Sequence, residues 1–534
     1  MSSGPARSSA PRFPARLRVL ICSLLAVLPL RGAETSPLAA APSEFVRAQA
    51  ASKVKWHAWE DASLAAAKAS GKSVYVFIGS PLSELTRATI NQTFTSEKTV
   101  AWLNESFFCI FVDADASPEV AALGQHFITI VKQLKGWPVH LWLTPDTLQP
   151  YDGANYLPPS EEWGKPGFLK AARAALDTWQ AGPDRAHALA AEAIEMMKLP
   201  PLGPGEVKPE AIKARLDKAA AAWIANVDAK NGGFGTAPKL PEPELIRFLL
   251  KRDKAAQDVA IAAARALVNG ALRDPVDGGF YRRCIDEAWK EPYFQKTLAD
   301  QARIALALFD AADVAKDEKL HAAGIGALDF VLKELKNPDD TFAAALDGTL
   351  EENADPAKRP KFVKVGSAST ISLAWLTTAM RRSGEERLVA QLPKKQPKIT
   401  LPTVMVLVPH HEVVGHSANS EAMPTAADWM GTIFHTSAHD ALEASDRIKI
   451  MQSIVDYLFD PATGAFMATS TKLPTGIAAR VPALGDTPSA EVLALLAGVD
   501  AKTADLIRRN LMNQIEYDEL PPGDILLGLS QGQR

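Results

Sequence analysis

The chain of 534 residues has three cysteines, a formal charge of only -4 and no dense run of lysine and arginine. Each scarcity removes a class of function. With so little net charge and no basic stretch interleaved with aromatics, nothing creates the field that holds a phosphate backbone, so nucleic acid is not an expected partner. Three cysteines cannot build the dense disulfide framework of small secreted domains, and a chain that is 47% hydrophobic and 22% charged has apolar cores to rely on instead. Neither a glycine-rich phosphate loop nor a nucleophile elbow occurs, so no cofactor is expected.

The N-terminus holds Arg7, Arg12, Arg16 and Arg18, no acidic residue before Glu34, and the apolar run from Val19 to Leu30. This is the basic-then-apolar pattern of a secretory signal, too short to cross a bilayer comfortably, although an uncleaved anchor is the alternative. Cleavage after Ala33 would put Arg31 at a small-residue position, whereas Ala39-Ala40-Ala41 fits the small-x-small rule better. Residues 1–41 are therefore expected to be signal and linker, and the mature protein to be secreted, periplasmic or extracellular, with no membrane span once the signal is removed. That leaves Cys109 and Cys284, and Cys109 lies in the apolar run Phe107 to Val112, where a buried, inert thiol is expected.

From Trp56 helical and strand-like patterns alternate. Ser73 to Ile78, Phe108 to Val112 and Val139 to Leu143 read as strands; Asp61 to Ser70, Ser96 to Asn104, Ser117 to Leu134 and Lys165 to Gln180 read as helices. Such alternation predicts a small α/β domain over residues 42–182. Beyond it, long Ala/Leu-rich segments such as Pro209 to Asp228, Ala255 to Arg273 and Thr297 to Ala315 predict a mostly helical region over 183–534.

An internal echo punctuates that region: Asp228 to Phe234, Asp274 to Phe280 and Asp460 to Phe466, with a shorter cousin from Asn337 to Phe342. In each copy Asp, Pro or Gly stops a helix and the Phe re-enters the core, so each marks a helical hairpin. Repeated hairpins form either a solenoid or a closed toroid, and the irregular spacing of the echoes argues against a strict solenoid period.

Several motifs then carry a resemblance. Gly136-Trp137-Pro138-Val139, Leu143-Thr144-Pro145-Asp146 and Gly153 to Pro159 look like the G-W-P-L, F-L-T-P-D and G-G-T-Y-F-P-P series of the thioredoxin-like family typified by the spermatogenesis-associated thioredoxin-domain protein. Asn231 to Pro241 resembles that family's G-G-F-G-x-A-P-K-F-P segment, and Gly278 to Lys296 its G-G-F-H-R and P-H-F-E-K elements. The resemblance implies a thioredoxin fold followed by a helical-hairpin toroid of the (α/α)6, six-hairpin type, complete or not. It also implies a cis peptide at Pro138, beside a groove for an extended peptide; read without it, Pro138 simply ends a loop before a strand.

The departures from the family are informative. Aligned without a gap between Gly79 and Phe94, Ser83-Glu84-Leu85-Thr86 stands where the family has C-H-W-C, and Arg87 replaces the histidine that follows. Thiol-disulfide exchange needs one thiolate to attack and a second to resolve, and Ser83 and Thr86 do neither. In the helical region Tyr281, Tyr293 and Gln295 replace two family histidines and a glutamate. Stacking faces beside carboxylates suit a sugar cleft, so Tyr281, Arg282, Trp289 and Tyr293 are candidate sugar-binding residues, while Trp137 and Pro138 are candidates for the peptide groove that the resemblance implies. Asp286, Glu287 and Asp300 are candidate acids, for which helix-capping or solvated roles are the competing reading. His410, His411 and His416 precede an expected helix, and His435 and His439, four apart on a helix face, could hold a metal; with no Glu following His435 and no Cys pair, paired surface histidines are the preferred reading and no metal is expected. The expected function is that of a redox-inactive secreted binding or scaffold protein for a peptide, a partner protein or a carbohydrate; the alternative is a carbohydrate-active enzyme using the carboxylates.

Overall fold

The computed structural model describes residues 36–41, 43–349, 359–392, 452, 455–456, 458–467, 501–515 and 518–531. The apolar N-terminal run and the five histidines of 410–439 lie outside the described residues.

The first domain runs through α1 (Glu44–Arg47), β1 (Trp56–His57), α2 (Asp61–Ser70), β2 (Val74–Gly79), α3 (Glu84–Ala88), α4 (Glu97–Ser106), β3 (Phe108–Asp113), α5 (Pro118–Ile130), β4 (Val139–Leu143), β5 (Pro150–Ala154), α6 (Phe168–Gln180) and α7 (Pro183–Met196). Its five strands are ordered β1-β3-β2-β4-β5; the first three are parallel and the last two antiparallel to their neighbours. Alternation along β2 sends Tyr75 and Phe77 to one face, with Trp56, Phe111, Trp142 and Phe168. Val74, Val76 and Ile78 go to the other, against Leu123 and Phe127 of α5. Because both faces are covered, the strands read as continuous apolar runs.

Both expected boundaries move. Leu38 is fully buried and Ala41 nearly so, in the same cluster as Trp56 and Phe111, so the fold already includes residues 36–41. A cut after Ala41 would remove a core leucine. At the other end α7 packs on the sheet, with Ala186 and Ala190 in one layer and Ala193 and Met197 in the other. Gly182 only redirects the chain between two helices of one domain, and the break comes at the proline-rich stretch after Lys198, not at 182.

The second domain comprises α8 (Pro209–Ala225), α9 (Pro243–Leu249), α10 (Lys254–Asn269), β6 (Gln295–Thr297), α11 (Leu298–Ala315), α12 (Glu318–Phe330), β7 (Ala343–Asp347), β8 (Val363–Ser367), α13 (Thr370–Arg382), α14 (Glu386–Val389), β9 (Phe459–Asp460), β10 (Ala465–Phe466), α15 (Ala501–Ile515) and α16 (Gly523–Gln531). Helix α11 is buried along most of its length among α9, α10, α12 and α13. An α/β domain followed by a helical-hairpin domain is the fold class expected. The antiparallel sheet β6-β7-β8 was not expected.

The echoes are one structural device. In each, the leading Asp accepts the backbone N–H of the glycine four residues on, at 2.8 Å for Asp228, 2.9 Å for Asp274 and 2.7 Å for Asp460. Gly232, Gly278 and Gly464 all have positive φ, between 68° and 79°, which a side chain would resist. A cation or hydroxyl then pins the Asp carboxylate: Lys239 on Asp228, Lys296 on Asp274, and the Thr463 hydroxyl on Asp460.

Candidate functional site

The loop after β2 would carry the redox thiols. Ser83 caps α3, its Oγ accepting the Thr86 N–H at 3.2 Å. Thr86 is fully buried over Gly79, where a Cβ would sit 2.5 Å from the threonine methyl. Thus one hydroxyl serves as a helix cap, and the other belongs to a packing residue whose Oγ1 has no hydrogen-bond partner. The two cysteines among the described residues offer no substitute: Cys109 and Cys284 are buried, and burial pushes each thiol up to about 12. Neither supplies a thiolate near neutral pH.

What the loop touches is the helical domain. The Arg87 guanidinium pairs with Asp347 at 3.2 Å, donates to Thr349 Oγ1 at 2.5 Å and to Pro81 O at 2.8 Å. Gln295 donates through Nε2 to Leu82 O at 2.9 Å and to Asp347 Oδ2 at 2.8 Å. The Tyr293 hydroxyl donates to Glu84 at 3.2 Å, and burial followed by the charges of Glu84 and Asp347 raises its pKa. Asp347 is fully buried at the end of β7 and also accepts the Thr349 N–H and hydroxyl. Arg87, Tyr293 and Gln295 are three of the positions at which the chain departs from the family pattern, and they meet in one network.

The remaining candidates fall into structural roles. Trp137–Pro138 is a cis peptide, as the resemblance implied, with Pro138 buried and Trp137 half-buried. Tyr281 and Trp289 are corrected from ligand-facing to core residues. Tyr281 donates to Asp274 at 2.7 Å, and Trp289 donates to Gly232 O at 3.1 Å beneath Lys239. With relative exposures of 4% and 3%, they present no ring face to a sugar. Arg282 is exposed and donates to Gln295. The Asp286 carboxylate accepts the N–H groups of Ala288, Lys290 and Glu291, and Asp300 forms a reciprocal cap with Thr297 at the start of α11. Asp300 thus takes the helix-capping role weighed from the sequence, whereas Asp286 closes a loop turn outside any helix. Glu287 is exposed.

Sequence reading missed a carboxylate group where α9, α11 and α16 begin. Glu244 is buried and held in a bidentate pair by Arg303, at 2.6 and 2.7 Å. Glu242, just before α9, has a left-handed backbone. Burial, and then the charges of Glu244 and Asp524, raise its carboxyl pKa, with Arg303 opposing. The signal was present as Pro241-Glu242-Pro243-Glu244, but only the fold brings Arg303 and Asp524 to it. Among the described residues no cluster of His, Cys, Asp and Glu is suited to a metal ion, and no helix is long and apolar enough to cross a membrane.

Comparison with known proteins agrees with the motif reading. Residues 35–198 match the family Thioredox_DsbH, described as "Protein of unknown function, DUF255". The chain is 27% identical over 316 residues to spermatogenesis-associated protein 20 of Mus musculus and 26% identical over 332 residues to that of Homo sapiens. These matches cover 57% and 60% of this chain and only 40% and 42% of those proteins. Among solved structures, cellobiose 2-epimerase from Bacillus thermoamylovorans is similar at a TM-score of 0.42 and 12% identity, over 58% of this chain and 88% of that one.

Proposed function

We propose that the chain is a redox-inactive, secreted binding or scaffold protein in which the former redox loop serves as the joint between two domains. One observation carries the reading: Arg87, one residue past the second lost thiol position, pairs with the fully buried Asp347 of the helical domain. A loop that must approach a substrate disulfide cannot also be held by the Arg87, Leu82 and Glu84 contacts. The Arg-rich segment followed by an apolar run at residues 7–30 supports secretion. Purified wild-type protein is expected to give no insulin reduction above background and no trapped mixed disulfide; measurable turnover would overturn the redox part of the reading.

The carboxylates at the start of α9 favour a second reading, a carbohydrate-active enzyme. Glycoside chemistry uses a pair of carboxyl groups set about the scissile bond. Burial raises the Glu242 carboxyl, and Arg303 fixes the Glu244 carboxylate two residues on, so the two are candidates for such a pair. This reading predicts glycan turnover that disappears in Glu242→Gln, and a broad glycan library without any turnover counts against it.

A further inference from the structure

His140 lies on β4, opposite Phe77 of β2 and Ala154 of β5, and is fully buried. Its ring stacks with Tyr75 and Trp142 at centroid distances of 6.0 and 6.4 Å and meets Phe77 and Phe168 at 5.4 and 5.6 Å. Nδ1 lies 2.7 Å from the Tyr75 hydroxyl, and Nε2 has no hydrogen-bond partner. A sealed aromatic layer thus holds a base that takes no part in the contacts between the domains.

This environment accepts the neutral ring and opposes the charged one. An imidazolium donates from both nitrogens; here Tyr75 faces one of them and the other N–H would be stranded. No counter-ion stands by. β4 carries no other titratable group, and on β2 the titratable contact is Tyr75. On β5 Tyr151 is engaged by Ser73 and Ala175 O, and Asp152 pairs with Lys132. On α6 Lys170 pairs with Glu161, Arg173 lies over Trp102 and Asp177 is exposed. Burial therefore acts on the ring unopposed, and it pushes the His140 pKa down to about 3.

The layer reaches the joint. Phe77 packs beside Gly79, over which Thr86 of α3 lies, and the next residue is Arg87. We propose that His140 is an acid-operated switch: as the medium acidifies it takes up a proton by opening the α/β domain, which frees α3 and its Arg87–Asp347 pair while the helical domain stays folded. The consequence for α3 rests on the reading of that loop as a joint; the switch itself does not. A folded-state value below the ordinary ~6.5 of histidine means that the stabilisation is complete above that pH and is lost as pH falls through it toward the lowered value. In the helical domain, hydrogen bonds from Lys239 and Lys296 outweigh burial and hold the Asp228 and Asp274 carboxyls below the usual range. Those contributions are lost only below about pH 4.

Peptide-resolved hydrogen exchange of the full chain at pH 7 and pH 4.5, corrected for the intrinsic pH dependence of exchange, tests the switch. The comparison is with His140→Asn, which keeps an acceptor for Tyr75 and does not titrate. Between the two pH values the opening equilibrium of β2 and β4 is expected to rise about a hundredfold more in the wild type than in the variant, and that of α11 to stay level. His57, His126 and Asp113 also have shifted values in this domain, but they are common to both proteins and cancel. Equal acid responses of the two proteins, or a response of α11 as large as that of β4, overturn the proposal. If circular dichroism shows that His140→Asn does not fold, exchange of the histidine C2 protons in the wild type decides. His187 is then expected to titrate and His140 not to, at pH 5 and above; a His140 that titrates near its ordinary ~6.5 in the folded chain overturns the proposal. A chain that lacks the acid response and leaves insulin intact loses the switch and keeps the redox-inactive reading; one that shows the response and reduces insulin does the reverse.

Discussion

The helical domain and the joint between domains both bury charge, and they satisfy it differently. Inside the helical domain Lys296 is fully buried, 2.7 Å from both Asp274 and Asp277, and ringed by the faces of Tyr281, Phe330 and Phe362. Its partners are fixed by one local turn. At the joint, Asp347 is fully buried too, but its counter-ion Arg87 comes from the other domain and divides its donors among Asp347, Thr349 and Pro81. Lysine as a point charge suits a closed cage, whereas the planar fork of arginine suits several acceptors in different directions. The first arrangement stabilises a repeat, and the second couples two domains.

The largest effect is expected from Lys296→Met. It strands Asp274 and Asp277, with side-chain exposures of 1% and 5%, and breaking a buried pair costs about 3–5 kcal/mol. Arg359, which reaches both carboxylates, holds the loss to the lower part of that range. Lys239→Met removes the equivalent residue from the preceding echo and is expected to cost less. Asp228 is 14% exposed and keeps the Lys230 and Asn231 N–H groups. Urea unfolding of the two variants measures the difference, and equal losses would mean that the two turns are not graded by burial.

Arg87→Met comes next. Asp347 keeps its bonds from Gln295 and Thr349, so a loss of about 2–3 kcal/mol is expected, below the full cost of a stranded carboxylate. The informative readout is cooperativity. Calorimetry of the variant is expected to resolve separate transitions for the α/β and helical domains where the wild type shows coupled unfolding. Arg87→Lys, with one point donor in place of a fork, is expected to fall between the two. A single unshifted transition in Arg87→Met would show that Arg87 does not couple the two domains.

Much of the α/β domain was legible because its strands are buried on both faces, and the pattern marked β4 at the very bounds the structure shows. The echoes were legible as well, since Asp, Gly and Phe at fixed spacing have local causes. The small sheet was not: β7 reads Ala-Ala-Ala-Leu-Asp, a sequence of helix formers that becomes a strand only because β6 and β8 pair with it. Leu38 was hidden by its small neighbours, whose small-x-small pattern describes a cleavage site as well as it describes a turn of helix. Arg87, Tyr293 and Gln295 were each visible as departures from the family pattern, and read singly they looked like losses. Their meeting across two domains, some two hundred residues apart in the chain, is tertiary information that no local pattern holds.

His187 and Asp146 supply the exposed counterpart to these buried charges, and the smallest effect. Both ring nitrogens of His187 face groups that only accept, Nδ1 at 2.7 Å from Pro183 O and Nε2 at 2.9 Å from the Asp146 carboxylate. Making both bonds requires the imidazolium, and the hydrogen bond to Asp146 raises the His187 pKa above 6.5. A folded-state value above the unfolded one means that the contribution is complete below pH 6.5 and is lost as pH rises through the raised value. With side-chain exposures of 33% and 49%, solvent screens the pair, so His187→Ala is expected to cost under about 1 kcal/mol at pH 6 in low salt. The same variant is expected to match wild type at pH 8.5, or at pH 6 in molar salt. A loss of the size expected for Arg87→Met, persisting at high pH, would show that α7 is held by packing at this position, and that exposure does not separate the two kinds of charge.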